Sequence, residues 1–121
     1  MDLERDFFID VLNILPQNVK CFIQAPSLEN EAIQGMIIKS EYEYFELIPI
    51  NEPNKSLFIK EILAHPIVNY INSVEIRLDN KLLFEGYDGI EYGILSNSVK
   101  IPQWFIDKYA SEDMYMISNE W

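Results

Sequence analysis

A single cysteine, a single histidine and four glycines among 121 residues leave this chain little of the chemistry a small protein can carry. One thiol, Cys21, can form neither an intrachain disulfide nor a four-thiolate zinc centre. One imidazole excludes a histidine cluster, and any Ser-His-Asp or Cys-His arrangement would have to use His65. That residue stands before Pro66 at a predicted helix end, where capping carbonyls is its simpler role. The glycines, at positions 35, 86, 89 and 93, belong to no phosphate-cradling loop or dinucleotide fingerprint. No apolar run approaches the roughly 20 residues that span a bilayer. The first six residues, Met1 to Asp6, are acidic where a secretory signal is basic, so a cytoplasmic chain without membrane attachment is expected. Basic residues are scarce as well: nine against twenty acidic ones, for a net charge of −11 and a pI near 4.3. Such a chain is repelled by nucleic acid and by anionic lipid. No catalytic residue, cofactor or metal site is expected.

What is present suits one acidic domain over residues 1–121, because 49% hydrophobic residues suffice for a compact core. The spacing of Leu3, Phe7, Phe8, Val11, Leu12 and Leu15 predicts a helix over 3–15, capped by Asp2 and stopped by Pro16. A strand is predicted from Val19 to Ala25, with Cys21 inward as a packing residue. Strands are predicted over Ile33–Lys39 and Tyr42–Ile50, the latter at a sheet edge because of Pro49. A helix follows from Pro53 to His65, then a short turn over Ile67–Ile71. Three strands, Val74–Leu78, Lys81–Tyr87 and Ile90–Leu95, are separated by Asp79-Asn80 and Asp88-Gly89, both suited to two-residue hairpin turns. A third helix from Pro102 and a last strand over Met114–Ser118 complete an α+β fold: a single, mostly antiparallel sheet with a β-meander in its C-terminal half, packed against about three helices.

Two-residue turns fix the meander register. Ile76 should face Leu83, Val74 should face Glu85, and Glu85 in turn Tyr92, which puts Glu85 on the core side with Tyr92 as its partner. On the other side, Leu82, Phe84 and Leu95 form an apolar group, with Phe84 covering Gly93. That group is either a contact patch or is covered by another element such as the first helix. Asp88, Glu91 and Glu85 lack the ligand spacing of a Ca²⁺ loop and read as solvated turn carboxylates.

The charge is unevenly distributed: residues 1–52 carry net −7, residues 53–84 net +1 and residues 85–121 net −5. Segregation of this kind steers a basic partner by long-range attraction. Within the acidic first part, Glu41, Tyr42, Glu43, Tyr44, Phe45 and Glu46 interleave carboxylates with aromatic area. Tyrosine supplies contact surface at small entropic cost and carboxylates pair with Lys or Arg, so Glu41, Tyr42, Glu43, Tyr44 and Glu46, with Asp88 and Glu91, are the expected partner-binding residues.

No motif identifies a family. In general profile, short, acidic, α+β, rich in tyrosine and without catalytic groups, the chain is similar to the immunity proteins of bacterial competition. The resemblance implies stoichiometric occlusion of a basic, nuclease-type toxin site with no reaction catalysed. The alternatives are a phage-type inhibitor that imitates nucleic acid before a DNA-binding complex, and a structural or assembly subunit that forms a homo-oligomer through Leu82, Phe84 and Leu95. An enzyme centred on His65, Glu85, Asp88 or Glu91 would need a concave pocket around one of them.

Overall fold

The computed structural model describes residues 2–121. Helix α1 (Leu3–Ile14) starts where the Asp2 carboxylate accepts the Arg5 N–H, and it buries Phe7, Phe8, Val11 and Leu12. It is followed by β1 (Val19–Gln24), α2 (Glu31–Met36), β2 (Glu46–Ile50) and α3 (Glu52–Ala64). A 3₁₀ turn at Val68–Tyr70 leads to the meander β3 (Ser73–Leu78), β4 (Lys81–Tyr87) and β5 (Tyr92–Ser96), and then α4 (Gln103–Tyr109) carries the chain to β6 (Tyr115–Ser118). The six strands form one sheet in the order β2-β1-β3-β4-β5-β6. Every neighbouring pair is antiparallel except β5 and β6, whose parallel pairing requires the crossover that α4 supplies. This is the expected α+β architecture with its C-terminal meander. No helix among the described residues is long and apolar enough to cross a membrane.

The helices cover one face of the sheet. Strand alternation delivers Cys21 and Ile23, Ile48 and Ile50, and Val74 and Ile76 to that face, where Phe7, Phe8, Phe58 and Ile62 meet them in a continuous core. Helix α4 is fastened to α1 through Asp10, whose carboxylate accepts the Tyr109 hydroxyl at 2.6 Å and the Lys108 ammonium at 2.7 Å.

Four local expectations are corrected. Residues 33–39 are not a strand: the Asn30 side chain accepts the Ile33 N–H at 2.9 Å and opens the short helix α2, which buries Ile33 and Met36 at the three-residue spacing of one helix face. Only Ile38 pairs onward, in one bridge to Leu47. The strand expected over 42–50 shrinks to β2, because Tyr44 has φ +71°, outside strand geometry, and the Phe45 N–H closes a turn on the Tyr42 carbonyl.

The connection at Asp88-Gly89 holds four residues, with Tyr87 opposite Tyr92, and β5 begins at Tyr92 rather than Ile90. Asp88, Gly89 and Ile90 all have positive φ, and the loop is anchored where the Asp88 and Gly89 N–H groups donate to the carbonyls of Asn72 and Ile71. The anchored loop turns Ile90 into the core, fully buried.

The largest correction is the register of β3 on β4. Leu78 faces Lys81 as expected, but a β-bulge between Ile76 and Arg77 leaves Leu83 without a counterpart, so Ile76 faces Phe84, Val74 faces Gly86 and Glu75 faces Glu85. Leu83 and Phe84 both enter the core, and Phe84 and Leu95 are fully buried, with Phe7 and Phe8 of α1 against the Phe84 ring. The Leu82, Phe84 and Leu95 group is therefore not a surface patch, and no homo-oligomer contact can be built on it. Phe84 does cover Gly93, but from the core side: a Cβ on Gly93 would stand 2.6 Å from its ring.

Candidate functional site

The bulge also decides what the uncovered face of the sheet presents. Glu85, expected inside, turns outward directly opposite Glu75, and its partner is the Tyr87 hydroxyl two residues on rather than Tyr92. Accepting this bond, Glu85 makes the phenol harder to ionise and pushes Tyr87 up to about 12, with partial burial adding to the effect. Tyr92 lies beside Tyr87 across the β4–β5 pair. Glu75 is held by Arg77, whose Nη2 donates at 2.7 Å. Two carboxylates and two tyrosines thus share one flat area over β3, β4 and β5. Ile94 and Met116 extend it toward β6, and Met116 is 48% exposed.

Toward β2 the same face is partly roofed. Phe22 and Leu47 stand opposite each other there, and the Tyr42 ring packs edge-on against Phe22 with centroids 4.9 Å apart. The Arg77 guanidinium lies 5.1 Å from the centre of the Tyr42 ring. Tyr42 is therefore a structural cover with one exposed flank. Of its neighbours, Glu41 sits beside Lys20 and Lys39, while Glu43 is exposed in the turn. Tyr44, 82% exposed, and Glu46 border a depression with Gln24, Pro26 and Asn72. The expected contact segment is divided: Glu41 belongs to a mixed-charge surface, and Tyr44 and Glu46 to the end of the sheet.

That end is where the remaining expected residues lie. Strand polarity places the ends of β1 and β4, the starts of β2, β3, β5 and β6, the C-termini of α3 and α4 and the N-terminus of α1 on one side of the molecule, where Lys108 in the last turn of α4 is paired with Asp10 and Arg5 in the first turn of α1 with Asp6. The segments there, 24–30, 43–46, 65–73, 85–92 and 111–115, contain no lysine or arginine. They carry Glu29, Glu46, Asp88, Glu91, Glu112 and Asp113, with Tyr44 and Tyr70 exposed among them. Lys20, Lys55, Arg77, Lys81 and Lys100 gather toward the opposite end. Glu46 on β2 and the Asp88–Glu91 loop are three to four strand spacings apart, about 14–19 Å, so a partner meeting both would span most of the sheet width. Glu112 and Asp113, overlooked in the sequence, join this group because β6 runs parallel to β5.

The other chemical candidates are arranged differently. His65 borders a concavity shared with Ser27, Glu29, Asn30 and Tyr70, and its Nε2 faces the Glu61 carboxylate at 3.8 Å. Its backbone N–H caps α3 on the Glu61 carbonyl. Glu61 also accepts from the Asn30 side chain at 3.0 Å, which ties α2 to α3. Cys21 lies fully inside the sheet core, where burial pushes its thiol well above the ordinary value and leaves it without nucleophilic character. No group of three or more metal-ligating side chains occurs among the described residues. Glu85, Asp88 and Glu91 lie on the sheet face and a hairpin loop. The arrangement over β3, β4 and β5 can attract and hold cations over a broad area.

Comparisons with models of known protein families, with characterised proteins and with solved structures give no match.

Proposed function

We propose that the chain is a stoichiometric protein-binding inhibitor of the immunity type, which neutralises a bacterial toxin by covering a basic, nuclease-type site. The observation that carries this reading is the group of carboxylates on loops without lysine or arginine at one end of the sheet, Glu46, Asp88, Glu91, Glu112 and Asp113, placed beside an open face that bears Tyr87, Tyr92 and the Glu75–Glu85 pair. Carboxylates at that end steer a basic surface into contact, and on docking the tyrosines bury area while the carboxylates pair with its Lys and Arg groups. Nothing is bonded or cleaved. Inhibition follows from occupancy, and the site of action is the cytoplasm that the toxin would otherwise damage.

The test is co-expression with the reading frame adjacent to this one in its genome of origin. The neighbour alone should arrest growth, and the wild-type chain should relieve the arrest. The triple reversal Glu46→Lys, Asp88→Lys and Glu91→Lys should slow association at least tenfold at low salt and restore toxicity, with the circular dichroism unchanged. A harmless neighbour, or full protection by the reversed variant, overturns the proposal.

A further inference from the structure

We infer that the free edge of β6 accepts an extended, basic segment of the partner as an additional strand. The two edges of the sheet are treated oppositely. On β2, the outward Leu47 carbonyl accepts the Ile38 N–H at 2.9 Å, the Pro49 carbonyl accepts the Asn54 side chain at 2.8 Å, and Pro49 has no N–H to offer. That edge is closed. On β6, the Met114 carbonyl accepts the Gly93 N–H at 2.8 Å and the Ser118 carbonyl accepts the Asn97 N–H at 2.9 Å. Parallel alternation therefore turns Met114, Met116 and Ser118 toward β5, and the N–H and C=O groups of Tyr115 and Ile117 outward. β6 pairs with no other strand among the described residues. Neither a proline nor a charge blunts Tyr115-Met116-Ile117-Ser118, and Met116 and Ile117 keep exposed side chains on opposite sides of the edge.

Charge selects the occupant. The strand is flanked by Glu112 and Asp113 before it and Glu120 after it, all exposed, and residues 111–121 contain no lysine or arginine. A second copy pairing antiparallel on this edge would set Asp113 of each chain near Glu120 of the other, acid on acid at both ends, between molecules of net charge −11. An extended segment with Lys or Arg at its ends meets complementary charge there and supplies the missing backbone partners. The inference rests on the partner-binding reading and adds its mode of attachment.

The probe is a blocked hexapeptide alternating lysine and valine, titrated into the ¹⁵N-labelled protein, alongside its glutamate–valine counterpart and a copy N-methylated at alternate residues. The Lys-Val peptide is expected to shift the Tyr115 and Ile117 amides and protect them from hydrogen exchange, and the other two peptides to leave them unmoved. Ile117→Pro removes one outward N–H without touching a bond to β5 and should weaken the peptide about fivefold, the worth of one net hydrogen bond. Ile117→Lys keeps the backbone, should also lose the peptide, and covers the case in which the proline variant does not fold. Shifts confined to Glu46, Asp88 and Glu91 would overturn strand addition while leaving the partner-binding reading intact. Equal response to the glutamate peptide, no response at the edge, or dimerisation through β6 without peptide would each overturn it too.

Discussion

Gly93→Ala tests the packing that the β4 bulge creates. The new methyl would stand 2.6 Å from Cε1 and 2.8 Å from Cζ of Phe84. The ring cannot retreat, because Phe7 and Phe8 close on it with centroids 6.1 and 6.4 Å away. Overpacking of this kind costs about 1–3 kcal/mol, and a glycine lost from the unfolded chain returns about 0.5–1 kcal/mol, so a net loss of about 1–2 kcal/mol is expected. With a urea slope of ~1.5 kcal/mol/M, the unfolding midpoint falls by about 1 M.

Two companions make the experiment decisive. Gly35→Ala, on exposed α2 with nothing within 4 Å of the added carbon, should gain about 0.5–1 kcal/mol. The pair Phe84→Leu and Gly93→Ala should be strongly non-additive, since the smaller side chain removes the clash, with a coupling of about 1 kcal/mol or more. Had Phe84 faced outward, as two-residue turns require, its ring would swing into solvent at little cost. A Gly93→Ala variant as stable as wild type, with no coupling to Phe84, would therefore refute the bulged register and everything built on Glu85 facing outward.

Asp10→Ala removes the acceptor that joins Tyr109 and Lys108 to α1, leaves the hydroxyl of the buried Tyr109 unpaired, and should cost about 1.5–3 kcal/mol, read from urea midpoints; Lys108→Ala, at the exposed end of the same pair, should cost less than about 1 kcal/mol. Glu85→Gln should bring the Tyr87 phenol from about 12 back toward 10, followed by the ring carbon shift on titration. The sign for stability follows from proton counting: between pH 10 and 12 the unfolded chain releases the Tyr87 proton while the folded one retains it, so this contribution is complete below pH 10 and is lost as pH rises to about 12. A Glu85→Gln variant whose alkaline unfolding limb does not flatten would contradict the bond. Cys21 should resist thiol reagents in the native protein and react only at the rate of global unfolding; rapid labelling would place it outside the core.

The sequence disclosed the fold wherever side-chain periodicity and covalent constraints agreed. Asp2 and Pro16 bound α1, Pro66 ends α3 at its His65 cap, and the alternation of Val74 and Ile76 marks a half-buried strand. It misled where one residue's backbone choice mattered. Ile33 and Met36 keep the interval of a helix face, but with only two buried positions the period is too short to read, and the Asn30 cap sets the helix. Asp88-Gly89 carries the signature of a tight turn, yet hydrogen bonds to Ile71 and Asn72, distant in sequence, hold a wider loop. The Leu82-Leu83-Phe84 run has no polar residue to break its alternation, so nothing in the composition marks the bulge. Of the expected contact residues, Glu46, Asp88 and Glu91 fall on one end of the sheet, while Glu41 falls beside lysines. Spacing along the chain carries no information on which strand ends coincide; that depends on topology, as does the arrival of Glu112 and Asp113.

The bulge couples core and surface in a way that bears on function. An extra residue at Leu83 reverses the facing of the last four residues of β4, so the one step that buries Phe84 over Gly86 and Gly93 also turns Glu85 out against Glu75. Like charges directly opposite on neighbouring strands oppose folding by a few tenths of a kcal/mol to about 1 kcal/mol, and only Arg77 and the Tyr87 hydroxyl offset them. The core alone does not require this arrangement, because a neutral residue at 85 would pack the same bulge. What the pair does provide is a cation-attracting spot on an otherwise flat, tyrosine-bearing face, beside the end of the sheet where Asp88 and Glu91 stand on a loop that has no lysine or arginine. A partner that places a guanidinium or ammonium between the two carboxylates removes the repulsion on binding, so part of the cost carried by the free protein becomes affinity in the complex.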